Sequence, residues 1–329
     1  MGGCTNSPAV TKKIWRFAIE EVDGSVQDAY AKKFAELISE KSRGEIEVRI
    51  YPYGTLGTSD QITEQVATGA IQLAMSSPGH LGKLIPELQV FSLHFLFSGD
   101  EEVNRKLFRS DGKLVDLFSD KYSAKGFELL GFYPEGWQIW TTNKLIRKPE
   151  DFSGFKMRVM TSPLLLEIYR TYGANPVPLP YGEVYSALQL KMIDGQVNPA
   201  FAIEEMSFYE VTDYMIFPKA SMFVTSAITS KRFLKRLPAD QRKWLKEASA
   251  ESVNYIFAKQ QDYNKSRLEK IRNSRDGDVK MIELTKKERR RFLDKSKKSL
   301  NVFYDIGGDD AKRIYQDMSR VIQELEDNG

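Results

Sequence analysis

Gly154-Phe155-Lys156-Met157-Arg158-Val159-Met160-Thr161-Ser162-Pro163 packs a strand, a turn and the start of a helix into one short run. Phe155, Met157 and Val159 alternate with Lys156 and Arg158, the period of a strand with one apolar face. Ser162-Pro163 reads as an N-cap followed by proline at the first helical position. The helix continues through Leu164, Leu165, Ile168 and Tyr169 and stops at Gly173. Arg158 therefore stands near the carboxyl end of a strand, where open α/β sheets form their ligand crevices. Its planar guanidinium matches a carboxylate bidentately. The other reading of this segment is a solvated or salt-bridged strand arginine.

The same alternation runs outward in both directions. Ile14 to Ile19 is a strand, and Gln27 to Ser42 an amphipathic helix with Tyr30, Phe34, Leu37 and Ile38 inward. Ile46, Val48 and Ile50 make the next strand. Thr58-Ser59-Asp60-Gln61 is a capping box for a helix ending near Gly69. Ile71 to Met75 is a third strand, breaking into Ser76-Ser77-Pro78-Gly79. Glu101 to Tyr122 is helical with a break at Gly112, and Leu129–Phe132 and Gln138–Thr142 are short strands flanking Pro134 and Gly136. Later come an extended Asn175-Pro176-Val177-Pro178, a helix from Tyr181 to Met192 with Val184, Leu188 and Met192 inward, and strands over Tyr214–Pro218 and Met222–Ile228. Strand-helix alternation predicts mainly parallel sheets with helices on both faces.

Residues 239–276 contain neither glycine nor proline. As one helix they span on the order of 55 Å at 1.5 Å per residue, about twice the width of a small domain. Such a helix runs along two domains. The expected fold is a two-domain α/β architecture with a central ligand cleft. Domain I takes residues 11–135 with 224–263, and domain II residues 136–223 with 264–329. Thr285-Lys286-Lys287-Glu288 is a second capping box, opening a helix to about Leu325.

Composition narrows the function. The 48 basic and 45 acidic residues leave a net charge of +3, which offers no long-range field for nucleic acid. The most apolar stretch, Leu88 to Phe97, is too short and too interrupted to cross a membrane. Two histidines and one cysteine leave little for a metal site or a disulfide framework, and neither cofactor nor metal is expected. That cysteine, in Met1-Gly2-Gly3-Cys4, reads as the end of a bacterial lipoprotein signal, in which Cys4 becomes the lipidated first residue. N-myristoylation fits less well because Asn6 stands where Ser or Thr is required, and an unstructured terminus is the remaining alternative. Lys286 to Lys298 is dense in bases but interrupted by Phe292 and Leu293, the pattern of a solvated helix face.

Four strand ends carry polar groups without a structural task. They are Glu20-Glu21, the Ser77 to His80 turn, Arg158 with Thr161, and Asn198 before Pro199. Across a two-domain cleft they describe a binding crevice with one strong cation. Phe201, in the helix after Pro199, is counted with that pocket.

Ile50-Tyr51-Pro52 with Gly54-Thr55-Leu56-Gly57, the Gly154 to Val159 strand, Gly182-Glu183-Val184-Tyr185-Ser186-Ala187-Leu188-Gln189 and Asp194-Gly195-Gln196-Val197-Asn198-Pro199 occur in this order. The set resembles the extracytoplasmic solute-binding subunit (DctP family) of a tripartite ATP-independent periplasmic (TRAP) transporter, over nearly the whole chain from Trp15. The resemblance implies a periplasmic protein of two-domain periplasmic binding protein-like fold, with a long helix spanning both domains, that closes over an organic acid and hands it to the membrane subunits. It places the carboxylate-clamping arginine at Arg158, the pocket asparagine at Asn198 and the pocket aromatic at Tyr181. Many sugar-acid members carry a second arginine where this sequence has Gln138, in Glu135-Gly136-Trp137-Gln138. One arginine, with Trp137 and Tyr181 as flat walls, leads to the expectation of an aromatic monocarboxylate. Glu20 or Glu21 paired with an ammonium would admit tryptophan. The alternatives are a sugar acid or dicarboxylate, or a ligand-sensing module. An α/β enzyme is the remaining class, but no nucleophile elbow, phosphate loop, dinucleotide fingerprint or H-E-x-x-H is present.

Overall fold

A computed structural model of the chain describes residues 12–109, 113–274 and 278–328. Cys4 and Gly112 lie outside the described residues. The first lobe opens with β1 (Lys13–Ala18), α1 (Val26–Lys41), β2 (Ile46–Tyr51), α2 (Ser59–Thr68), β3 (Leu73–Ser76) and the short α3 (Pro78–Leu81). A 3-10 turn over Pro86–Ser92 leads to α4 (Glu101–Phe108), α5 (Lys113–Ala124) and β4 (Phe127–Trp137). The second lobe holds β5 (Ile139–Thr142), β6 (Lys156–Val159), α6 (Pro163–Tyr172), β7 (Asn175–Pro178), α7 (Val184–Gln189), β8 (Gly195–Asn198), α8 (Ala200–Glu205) and β9 (Tyr214–Phe217). The chain returns through β10 (Met222–Ser230), α9 (Lys231–Arg236) and α10 (Ala239–Asn273), and finishes with β11 (Lys280–Glu283) and α11 (Lys286–Asp327).

Each lobe is built on one sheet, ordered β2-β1-β3-β10-β4 in the first and β11-β9-β5-β8-β6-β7 in the second. The sheets are mixed rather than mainly parallel. β1 runs parallel to β2 and β3, and β6 to β7 and β8, but β5 and β10 are antiparallel to their neighbours. The reason is topological. β5 and β10 each begin just after the chain has crossed between lobes, so they start at the edge where the parallel strands end.

The crossings are Gln138 on the way out and residues 218–221 on the way back. The Gln138 amide donates to the Ser221 carbonyl at 2.9 Å, which ties the two together. β4 is one strand through Pro134 and Gly136, not two short ones. It lies at the sheet edge, where proline's missing N–H removes no bond on the open side, and a register shift between Phe223 and Val224 absorbs the irregularity. Gly136 has φ 144°, and a Cβ there would lie 2.6 Å from the Asn264 amide nitrogen, which itself donates to the Glu135 carbonyl at 2.7 Å.

The long helix forms over 35 residues, on the order of 52 Å at 1.5 Å per residue. It packs on α1 and β4 of the first lobe and on α8 of the second. Arg267 of this helix donates to Glu204 at 2.9 Å and to the Gly24 carbonyl at 3.2 Å, touching both lobes. The Thr285 capping box forms as expected. α11 is bent at Gly308 (φ 62°, ψ −146°), a conformation only glycine adopts freely. Along its length α11 packs on α6 and on the Pro86–Ser92 turn, α4 and α5, so the last helix also braces both lobes. The helix expected from Tyr181 to Met192 is shorter. A 3-10 turn covers Tyr181–Glu183, α7 ends at Gln189, and Met192 beyond it is 61% exposed because no helical phase carries it inward.

Candidate functional site

The carboxyl ends of β1, β3, β6 and β8 meet at a cavity of about 180 Å³. The first lobe contributes Glu20, Glu21, Tyr53, Ser77 and His80, and the second contributes Arg158, Thr161, Tyr181 and Asn198. Phe223 closes one side from β10.

Arg158 gets there because β6 alternates. Arg158 shares a strand face with Lys156, opposite Met157 and Val159, and this face meets the cavity only at the carboxyl end of the strand, so Lys156 is exposed whereas Arg158 is 3% exposed. Its Nε and Nη2 both donate to the Leu179 carbonyl, at 2.9 and 2.7 Å. That fixes the guanidinium and leaves its Nη1/Nη2 end for a ligand carboxylate. Burial pulls its pKa down to about 10, so it is cationic at neutral pH. It makes no ion pair with any described residue. Ser162 caps the following helix at the Leu165 amide and also donates to Gln89, which holds the turn after Arg158 against the Pro86–Ser92 segment. On β8, the Asn198 amide donates to Gln196, which in turn donates to Thr141 on β5 at 2.9 Å. Tyr181 meets Tyr53 edge to face at 5.8 Å.

The opposite wall is acidic. Gln27 at the start of α1 organises it. The Gln27 side-chain oxygen accepts the Glu20 amide at 2.7 Å, its side-chain nitrogen donates to Glu135 at 3.0 Å, and its backbone amide donates to Glu21 at 3.4 Å. Glu20 also accepts the Ser77 amide at 2.9 Å, locking the turn after β3 to the end of β1. Burial and then the Glu135 charge hold Glu21 well above the usual carboxylate range. Burial raises Glu135 as well, so this pair keeps a proton between its members. Glu205, on α8, is raised to about 8 by burial, even though Arg267 stands 3.4 Å away and pulls in the other direction. Among the described residues no histidine, cysteine, aspartate and glutamate group is arranged to hold a metal ion.

A measurable pH dependence follows from these carboxylates. A carboxyl whose folded-state pKa is raised contributes stability below its unfolded value of about 4.3 and loses it as pH rises through the folded value. The melting temperature of the free protein is therefore expected to fall between about pH 5 and pH 8. Glu135→Gln, which keeps the acceptor for Gln27, should flatten the slope. A melting temperature that rises over this interval would contradict the buried-proton assignment.

Six of the nine residues expected at the cavity line it: Glu20, Ser77, His80, Arg158, Tyr181 and Asn198. Trp137, Gln138 and Phe201 do not. Trp137 ends β4 on the far side of the crossing, where its Nε1 donates to Glu101 at 2.6 Å and Lys219 sits 5.2 Å over its ring. It is half-buried there, so it belongs neither to the cavity nor to the deep core. Gln138 is occupied with the crossing itself, and Phe201 is fully buried in the core beside α10. Sequence reading missed Gln27, Tyr53, Glu135 and Phe223. Glu135 alone left a trace, as a charged residue inside an apolar strand.

Fold and site together define a solute-binding protein, and comparison with known proteins gives the family. Residues 17–305 match the model for bacterial extracellular solute-binding protein, family 7, and the chain belongs to this family as a TRAP-transporter solute-binding subunit. It is 36% identical to the ectoine/5-hydroxyectoine-binding periplasmic protein UehA of Ruegeria pomeroyi, over 92% of this chain and 89% of that one. The solved ectoine-binding protein TeaA of Halomonas elongata superposes with a TM-score of 0.90 at 32% identity, covering 95% of this chain and 100% of that one. An apo open TRAP solute-binding protein from Marinobacter aquaeolei gives a TM-score of 0.86 at 41% identity, covering 93% and 99%.

Proposed function

We propose that this protein captures a compact zwitterion in the periplasm, closes its lobes over it and delivers it to TRAP membrane subunits without chemical turnover. The observation that carries the reading is the charge arrangement. Arg158 on one lobe faces Glu20 and Glu21 on the other, so a molecule with a carboxylate at one end and a cation at the other bridges the cleft. Arg158 takes the carboxylate through its free end, and the Glu21–Glu135 pair, which keeps one proton and so one negative charge, takes the cation through Glu21. Each contact then pulls the lobes together about Gln138 and residues 218–221. UehA and TeaA, both named for binding ectoine, are in keeping with such a ligand.

The aromatic monocarboxylate expected from the sequence fits less well. Trp137 and Gln138, its main supports, stand outside the cavity. A lone anion would also leave Glu20 and Glu21 facing nothing cationic, at a desolvation cost. A thermal-shift panel of ectoine, tryptophan, indole-3-acetate, succinate and galacturonate tests the choice. At a hundredfold excess over its dissociation constant a ligand adds about 2.7 kcal/mol, or several degrees in melting temperature. Ectoine is expected to stabilise and succinate and galacturonate are not. Stabilisation by indole-3-acetate with none from ectoine would return the aromatic reading.

Lipid anchoring at Cys4 is part of the proposal, supported by the small residues before it in Met1-Gly2-Gly3-Cys4. Cys4→Ser should move the protein from the membrane fraction to the soluble periplasm with unchanged ligand affinity. An unchanged membrane fraction would rule the anchor out.

A further inference from the structure

The first-lobe wall contains polar atoms that the zwitterion reading does not use. Glu20 is 7% exposed and Ser77 1%. One oxygen of Glu20 accepts the Ser77 amide, but Glu20 Oε1 and Ser77 Oγ have no hydrogen-bond partner among the described residues. Leaving a buried polar group without a partner is costly, and two together at one edge of a ligand cavity call for a ligand group.

The geometry says which kind. His80 Nε2 lies 4.0 Å from Glu20 Oε1, too far for a direct hydrogen bond. An oxygen placed at ~2.8 Å from each fits between them with an angle near a right angle. Such an oxygen must accept from the imidazole and donate to the carboxylate, which a hydroxyl does and a carboxylate or an ammonium does not. The ring is steered for this. His80 Nδ1 faces Asp60 at 3.7 Å, which turns Nε2 toward Glu20 and the cavity.

Asp60 is itself fixed on α2, with Lys83 3.3 Å away. Burial works against the imidazolium, but Glu20 and Asp60 outweigh it and hold His80 above its usual pKa, which favours the donor form at Nε2. Asp60, beside that imidazole and Lys83, is pulled down to about 2.

We propose that His80 and Glu20 form a third subsite that binds a ligand hydroxyl, making the protein selective for a hydroxylated zwitterion over its deoxy counterpart. This rests on the zwitterion reading, in which Arg158 and Glu21 hold the charged ends and leave Glu20 Oε1 for the hydroxyl. His80 is then a specificity-determining residue and Asp60 a positioning residue. A site built to hydrogen-bond a hydroxyl rejects the analogue lacking it because its own polar groups are left unpaired.

The test is calorimetric titration of the full chain with 5-hydroxyectoine and ectoine as a matched pair. The unmodified protein should bind 5-hydroxyectoine about tenfold more tightly. His80→Phe should bring that ratio close to one by costing 5-hydroxyectoine about tenfold more than it costs ectoine, and His80→Gln, which keeps a donor, should retain a few-fold preference. Asp60→Asn should lower the ratio without abolishing either affinity. Equal binding of the two by the unmodified protein, or a ratio that survives His80→Phe, overturns the subsite and leaves the zwitterion reading standing. Binding of neither compound overturns the zwitterion reading and the subsite with it.

Discussion

Arg158→Met is expected to weaken zwitterion binding by at least about a hundredfold and to leave the free protein as stable as before, or more so. A hundredfold corresponds to about 2.8 kcal/mol, in the range of a charge-assisted pair made in a closed, desolvated cleft. The stability side follows from the same environment. Arg158 is buried, makes no ion pair with a described residue, and has its pKa pulled down by burial. A buried charge held without a counter-charge opposes folding. Methionine fills much of the volume and removes that charge. Binding and stability should thus move in opposite directions, the signature of a residue retained for function. Trp137→Leu is the contrasting variant. Outside the cavity and held by Glu101 and Lys219, it should alter affinity by less than about threefold. Tight binding by Arg158→Met, or a large loss from Trp137→Leu, would mean the ligand sits elsewhere.

Trp140→Ala is expected to cost ~3–5 kcal/mol, the range for emptying a buried aromatic site. Trp140 is 1% exposed at the centre of the second lobe. Its ring meets Phe152 at 5.2 Å and Phe292 of α11 at 5.1 Å, with Tyr169 and Tyr172 at 6.5 and 6.4 Å. No neighbour can collapse into the space without giving up its own ring contacts, so the cavity remains. The melting temperature should drop by roughly 10 °C, and the docking of α11 on the second sheet should weaken with it. A drop below about 3 °C would show that this cluster relaxes, against the packing described.

What the sequence showed of this molecule was mostly local. Arg158 was legible because strand period, N-cap and proline fall within a few residues and place it at a strand end. The long helix was legible because nothing in it breaks a helix, and both capping boxes follow from short-range hydrogen bonds. Strand direction was not, because β5 and β10 reverse only as a consequence of crossing between lobes. Trp137 was misplaced for a related reason. Alternation tells that a residue changes faces, but Gly136 and the bulge at Glu135 beside it re-aim the strand just before Trp137. The acidic wall was hidden by distance, since Gln27, Glu135 and Thr225 meet from three separate elements. Glu20 and Glu21 were visible as strand-end residues, but nothing local revealed that a glutamine orients them.

The most direct measurement of the central claim is the structure of the protein with its zwitterion bound. The account predicts closed lobes, a ligand carboxylate at ~2.7–2.9 Å from the free end of the Arg158 guanidinium, and the ligand cation within ~4 Å of the Glu21 carboxylate. A ligand carboxylate lying away from Arg158, or a cation turned away from Glu20 and Glu21, would contradict it.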